Sequence, residues 1–176
     1  MAYINGKEIL FSPRIGSGGN LTKRVGGTIT EVTAEDLEGI TELIENAFFM
    51  CKSLKSVEIP EGVTRIGNSC FRYCYALTTV SLPNTLTALG NSVFSACDAL
   101  ESIVIPYSVT SIGMSLFYSC DALKIVTIKA TTPPTVGATP FSYCDALEKI
   151  IVPTGCASAY KAATNWSAYA DYIVEE

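Results

Sequence analysis

The sequence predicts an α/β, β-rich solenoid of about five 23-residue coils that share a parallel sheet and carry a cap at each end. Three observations predict it. Cys51, Cys74, Cys97 and Cys120 recur every 23 residues, and Cys144 follows after 24. Three residues before each Cys stands a Phe (Phe48, Phe71, Phe94, Phe117, Phe141), and three after it a Leu (Leu54, Leu77, Leu100, Leu123, Leu147). Beyond each Leu, apolar residues alternate as Val57/Ile59, Val80/Leu82, Ile103/Ile105, Val126/Ile128 and Ile150/Val152, the period of a half-buried strand.

The rest of each coil follows in order. Pro60, Pro83, Pro106 and Pro153 come after the alternation, and a residue without an N–H ends the ladder there; Lys129 takes that place in one coil. Val63, Leu86 and Val109, then Ile66, Leu89, Ile112 and Val136, carry the apolar pattern on. Gly67, Gly90, Gly113 and Gly137 come next and are expected to allow a tight corner. The Phe is expected to fill the wide part of the coil. One such unit cannot bury its apolar face alone, so stacked neighbours must cover it. The step falls within the roughly 20–29-residue period of leucine-rich repeats.

The consensus C-x-x-L-x-x-[VI]-x-[IL]-P-x-x-V-x-x-I-G-x-x-x-F resembles the BspA-like leucine-rich repeats of bacterial and protist surface proteins, and ALESIVIPYSVTSIGMSLFYSC is a close match. The resemblance covers about residues 40 to 153. Two units depart from it. KATTPPTVGATPF replaces the Pro and adds a residue near 129, and TEVTAEDLEGITELIENAFFMC keeps Ile40, Leu43, Phe48 and Cys51 with its strand shifted. The resemblance implies a binding or adhesion module, at the cell surface or secreted.

The organisation expected is an N-terminal hairpin and linker cap over 1–30, repeats over 31–153 and a helical cap over 154–176. Asn5-Gly6 between apolar residues signals a hairpin at 3–12. RIGSGGN and VGG read as connectors, without the spacing of a phosphate-binding loop. CASAYKAATNWSAYADYIVEE favours a short helix that plugs the last coil with Trp166 inward. It also resembles the tail that follows many BspA-like arrays, which implies that the array ends here.

Composition narrows the function. Of 176 residues, 48% are hydrophobic and 16% charged, so the chain can bury a core and is not a disordered tail. The net charge of −5, with Lys and Arg scattered, argues against nucleic acid as partner. There is no His, which removes Ser-His-Asp and Cys-His catalysis and His-containing metal sites. A carboxylate pair such as Glu58 and Glu61 comes with no implied pocket, so no enzyme activity and no cofactor are expected. No apolar run is long enough for a transmembrane helix. MAYINGKEIL lacks the basic and apolar regions of a secretory signal, as a native start or one whose leader has been removed would.

Two columns invite chemistry. Stacked at the interstrand spacing, the five cysteines are close enough to pair but their side chains run parallel. They read as buried free thiols donating to backbone groups at a corner, with disulfides or a metal site as alternatives. Cys70 occupies a core position. Asp98, Asp121 and Asp145 form a second column, read as turn caps, with calcium as the alternative.

The candidate binding residues are those that alternate away from the core on the concave sheet face. They are Ser56, Glu58, Thr79, Ser81, Ser102, Val104 and Thr127, with Tyr107 at the rim. Tyr73, Tyr75, Tyr118 and Tyr143 surround the Cys corners, and exposed Tyr is a common interface anchor. The reading is a protein- or glycan-binding module. The alternative is a structural or assembly component of a prophage or cell-envelope particle, which would place the chain in a phage particle or the cytoplasm. The oligomeric state is open.

Overall fold

The computed structural model describes the backbone of two N-terminal strands and residues 29–176 in full. β1 (Ala2–Ile4) and β2 (Lys7–Ile9) pair antiparallel, with Ala2 opposite Ile9. The Asn5-Gly6 turn and residues 10–12 of the expected hairpin, and the connectors RIGSGGN and VGG, lie outside the described residues.

From Glu31 onward each coil contributes two short strands. These are β3 (Glu31–Val32) and β4 (Glu42–Leu43), then β5 (Ser56–Glu58) and β6 (Arg65–Ile66), then β7 (Thr79–Ser81) and β8 (Ala88–Leu89). β9 (Ser102–Ile105) with β10 (Ser111–Ile112), β11 (Ile125–Ile128) with β12 (Thr135–Val136), and β13 (Lys149–Val152) complete the array. Every pairing between coils is parallel and in step with the repeat, for example Val126 beside Ile103 and Ile150.

The sequence reading expected one sheet, and the coil has two ladders. The second, in the order β12-β10-β8-β6-β4, lies past the Pro, where the second apolar pair of each unit sits. Its rungs are extended by a threonine column: Thr64, Thr87, Thr110 and Thr135 each pass a hydroxyl proton to the carbonyl of the equivalent Thr one coil back. The principal sheet is split. β3-β5-β7 form one hydrogen-bonded unit and β9-β11-β13 belong to another, and no ladder joins β7 to β9. Val80 and Leu82 stay half-buried at that junction, whereas Val57 and Ile103 in neighbouring coils are buried.

The third side of the coil is a stack of turns. Phe48, Phe71, Phe94 and Phe117 each donate a backbone N–H to the next coil, at 2.8–3.0 Å. Their rings and that of Phe141 stack almost parallel through the middle, with centroids 5.2–5.7 Å apart. Parallel-stacked rings at the coil spacing explain why no other aromatic shape stands in this column.

The glycine column has a different cause from the one expected. Gly67, Gly90, Gly113 and Gly137 do not adopt left-handed backbone. A Cβ at Gly113 would lie 2.5 Å from the backbone N of Asn91, and one at Gly137 2.4 Å from that of Met114. Glycine is required for close approach of successive coils rather than for the turn itself.

Two columns of left-handed residues occur elsewhere in the coil, and neither contains glycine. Asn46, Ser69, Ser92, Ser115 and Thr139 form one column with φ of 53–59°, and Met50, Tyr73, Ala96, Ser119 and Tyr143 another at 55–64°. Single left-handed residues of this kind cost roughly 1–2 kcal/mol each. They persist because each sits in the coil-to-coil bond network, as with Ser69 N–H to Asn91 O at 2.8 Å and Tyr73 N–H to Ser95 O at 2.9 Å.

At the C-terminal end the chain turns into α1 (Ala157–Ala162), a 3₁₀ segment Ser167–Tyr172 and a last strand, β14 (Ile173–Glu175). Trp166 and Tyr160 are buried as an inward plug requires. Their polar ends serve the coil that lacks the Pro: Tyr160 donates to Ala130 O at 2.7 Å, Trp166 Nε1 to Pro134 O at 2.8 Å and Asn165 Nδ2 to Val136 O at 2.8 Å. β14 was not expected from an alanine-rich helical tail. It pairs parallel with β13, Ile173 beside Ile150, because the open edge of β13 needs partners and β-branched Ile173-Val174 suit a strand. The Glu175 carboxylate accepts the N–H of Ala157 at 3.0 Å, and the N–H groups of Gly155 and Ala157 hold its pKa below the usual value.

Candidate functional site

The predicted site residues sit on the outward face of the principal sheet. Register places Ser56 beside Thr79 and Glu58 beside Ser81 in one unit. In the other, Ser102 lies beside Ile125, and Val104 beside Thr127. The structure thus brings seven of the eight residues onto one face in two groups, divided at the β7–β9 junction, and leaves Tyr107 in the turn just past β9. Glu58, Thr79, Ser81 and Ser102 are exposed, and Ser56 and Thr127 are half-buried. Val104 is 52% exposed and Tyr107 65% exposed, large values for such side chains. Among the described residues none of the five hydroxyls on this face makes a hydrogen bond, in contrast to the bonded threonine column on the second ladder.

The cysteine corner is structural. Cys74, Cys97, Cys120 and Cys144 donate their thiols to the carbonyls of Phe48, Phe71, Phe94 and Phe117, at 2.9–3.3 Å. Each of those carbonyls also accepts an N–H from its own coil, such as Cys97 N–H to Phe94 O at 3.2 Å. A buried carbonyl has two lone pairs, and the thiol fills the second. All seven cysteines are free. Burial pushes Cys51 up to about 11 and raises Cys70, Cys74 and Cys97 as well, so these thiols stay protonated and unreactive at neutral pH.

The aspartate column behaves differently from expectation. Asp98, Asp121 and Asp145 make no hydrogen bond to a backbone N–H among the described residues; the turn is already closed by bonds such as Leu100 N–H to Cys97 O at 3.0 Å. Partial burial, and then the charge of Asp121, hold Asp98 above the usual carboxylate range. Nor are the acids gathered into a cage: among the described residues no group of three or more Cys, Asp or Glu is placed to hold a metal.

Beside that column runs an aromatic ridge. Phe49 meets Tyr73 edge-on at 5.6 Å, Tyr73 lies 6.0 Å from Tyr75, and Tyr118 meets Tyr143 edge-on at 5.0 Å. Lys52 Nζ stands 5.6 Å over the Tyr75 ring. The Arg72 guanidinium covers Tyr73 at 4.7 Å and donates to its hydroxyl at 2.8 Å, while its Nε is buried without a partner. The repeat step places Lys52 and Tyr75 at the head of the column that continues through Asp98, Asp121 and Asp145. Sequence reasoning picked out the tyrosines and that column but missed Arg72, which the same step sets between Phe49 and Ser95 beside it.

A short repeating coil with stacked Phe, thiol-capped corners and exposed sheet residues defines a leucine-rich-repeat scaffold. More particularly, the chain belongs to the family described as BspA type leucine rich repeat region, whose model matches residues 30–168 in six copies. Proteins of this family are typically surface or binding modules and generally non-enzymatic scaffolds. The chain is similar to the leucine-rich repeat protein TpLRR of T. pallidum, at 26% identity over 86% of this chain and 71% of that one, with a TM-score of 0.69. A leucine rich cell surface protein of Faecalibacterium prausnitzii is 27% identical over 73% of this chain, with a TM-score of 0.54. A Bacteroides ovatus leucine-rich repeat protein is 27% identical over the same share, with a TM-score of 0.55. This chain spans 40% and 38% of the length of those last two. No curated protein matches the chain. Among the described residues, no helix is long and apolar enough to cross a membrane.

Proposed function

We propose that this chain is a non-enzymatic binding module, displayed at a cell surface, that docks a protein or glycan on the outward face of its principal sheet. The observation that carries the reading is the set of exposed, unbonded hydroxyls at coil spacing beside exposed Val104. Thr79, Ser81 and Ser102 offer hydroxyls that no hydrogen bond among the described residues uses, and Val104, Tyr107 and Ile151 supply apolar area. Short hydroxyl side chains lose little rotamer freedom on binding. In this reading residues 1–30 and 154–176 are end caps, and residues 31–153 form the array that carries the ligand surface. The relative described as a cell surface protein supports the location.

The test is binding to panels of immobilised extracellular matrix proteins and glycans. The wild-type chain is expected to bind at least one. Val104→Lys places a charge at the centre of the face and is expected to abolish that binding while leaving thermal stability nearly unchanged. Normal binding by Val104→Lys, or wild-type binding to none of the panel, overturns the reading.

A further inference from the structure

We infer that the aromatic ridge along the cysteine corner is a self-association surface, on which a second copy of this chain docks with its solenoid axis antiparallel. The ridge is polar along its length. Its early coils carry Lys52, Lys55 and Arg72 and its late coils Asp121, Asp145 and Glu148. Arg72 is half-buried, and the other five are exposed. Lys124 is the one base among the late coils of this strip, and it is engaged by Glu101 of the preceding coil at 3.1 Å.

A partner of one charge sign would be repelled by one half of such a surface. A partner that fits must carry the same polarity reversed, and a second copy turned through a two-fold axis across the strip carries it. The repeat makes the geometry definite. Backbone bonds from Met50 to Arg72, Tyr73 to Ser95, Ala96 to Tyr118 and Ser119 to Ser142 keep the columns aligned from coil to coil. A two-fold axis at the middle coil leaves each column facing itself in reverse. Lys52 then meets the second copy's Asp145, and Lys55 its Glu148. Arg72 meets the ring of Tyr118, the guanidinium-over-tyrosine contact it already makes with Tyr73. At the axis stand Ser95 and Ala96, small and buried, so the two backbones can approach.

Exposed tyrosines mark the same strip, Tyr75 and Tyr118 at 38% and Tyr143 at 64%. Aromatic residues ringed by opposite charges are what interface cores and rims are made of. The unfavourable encounters are those of Asp98 and Glu101 with their own symmetry mates, and Lys124, 3.1 Å from Glu101 in the same chain, offsets the second. The strip is narrow, so the association is weak and concentration-dependent. It leaves the sheet face open, and so is independent of the function proposed above.

The experiment is sedimentation equilibrium of the full chain up to submillimolar concentration, at low salt. Wild type is expected to show a reversible monomer–dimer equilibrium that salt weakens. Lys52→Glu and Asp145→Lys each place like charges together twice per dimer and are expected to weaken association by about tenfold or more. The decisive arm mixes those two variants. Each supplies the charge the other lacks, so an equimolar mixture is expected to form dimers that neither forms alone, and the double variant Lys52→Glu/Asp145→Lys is expected to recover them. Asp98→Asn is expected to tighten the wild-type dimer. Both reversed positions are exposed, and unchanged melting curves verify that the variants fold. A monomeric wild type, a dimer indifferent to either reversal, or no recovery in the mixture overturns the inference.

Discussion

The principal sheet and the turn stack on the Cys side are built from the same 23-residue step, yet they hold together in opposite ways. On the sheet side the backbone is unstrained strand, side chains alternate, and the outward hydroxyls are unbonded. The ladder is nevertheless incomplete there, breaking between β7 and β9. On the turn side two columns of non-glycine residues stand in left-handed backbone, and coil-to-coil bonds still run unbroken from Asn46 to Ser142. Buried thiols and a continuous stack of Phe rings tie that side together. Local backbone comfort therefore does not decide which side is cohesive. The turn side is overdetermined by core packing and satisfied carbonyls, and this lets it tolerate strain that the sheet side never meets.

The largest test of this contrast removes a ring from the stack. Phe94→Ala should cost about 3–5 kcal/mol in denaturant unfolding, since Phe94 is fully buried between Phe71 and Phe117. A loss under about 1 kcal/mol would show that the stack does not carry the turn side. Gly113→Ala comes next. Its Cβ meets the backbone of Asn91, which cannot swing aside, so about 1–3 kcal/mol should be lost; an unchanged melting temperature would mean that the coils can separate at little cost.

A sharper comparison uses one substitution on both sides. Ser69→Gly should stabilise by about 0.5–1 kcal/mol, because relief of left-handed strain exceeds the added entropy of the unfolded chain. Ser102→Gly, in extended β9, should destabilise by about 0.5–1 kcal/mol. Equal signs in thermal melts would remove the distinction between the two sides. The smallest effect is Ser102→Ala, expected within about 0.5 kcal/mol because its hydroxyl makes no bond; a larger loss would place Ser102 in a structural role and take it out of the candidate site.

Legibility followed the period. Val57, Ile103 and Val126 were readable as core because alternation and the 23-residue step agree, and Cys74, Cys97 and Cys120 as inward thiols because a column can only bond the coil beneath it. The glycines were readable as a column but not as a contact. Their necessity comes from the distance between coils, which no single unit encodes. The aspartates looked like turn caps by residue type, but the backbone at that corner spends its N–H groups on Cys and Phe carbonyls. β14 was hidden in a tail whose composition favours helix, since the edge it completes is created by β13, far back in the chain.

The candidate site divides along the same line. Which side chains face outward follows from parity within each strand, so Thr79, Ser81, Ser102 and Val104 were identifiable from sequence. That they fall in two hydrogen-bonded units could not be read there, because the β7 and β9 segments carry the same pattern as their neighbours. The amino-acid sequence by itself determined the coil: its length, its inward and outward residues and the Phe, Cys and Gly columns, because a repeat writes the stacking contact into every unit. Only the tertiary structure decided what depends on the fit between units. That includes the close approach at Gly113, the left-handed turns held from both sides, and the carbonyls of an irregular coil taken up by Tyr160, Asn165 and Trp166. Each of these is a relation between residues at least a full coil apart, and its energy exists only once the coils are stacked.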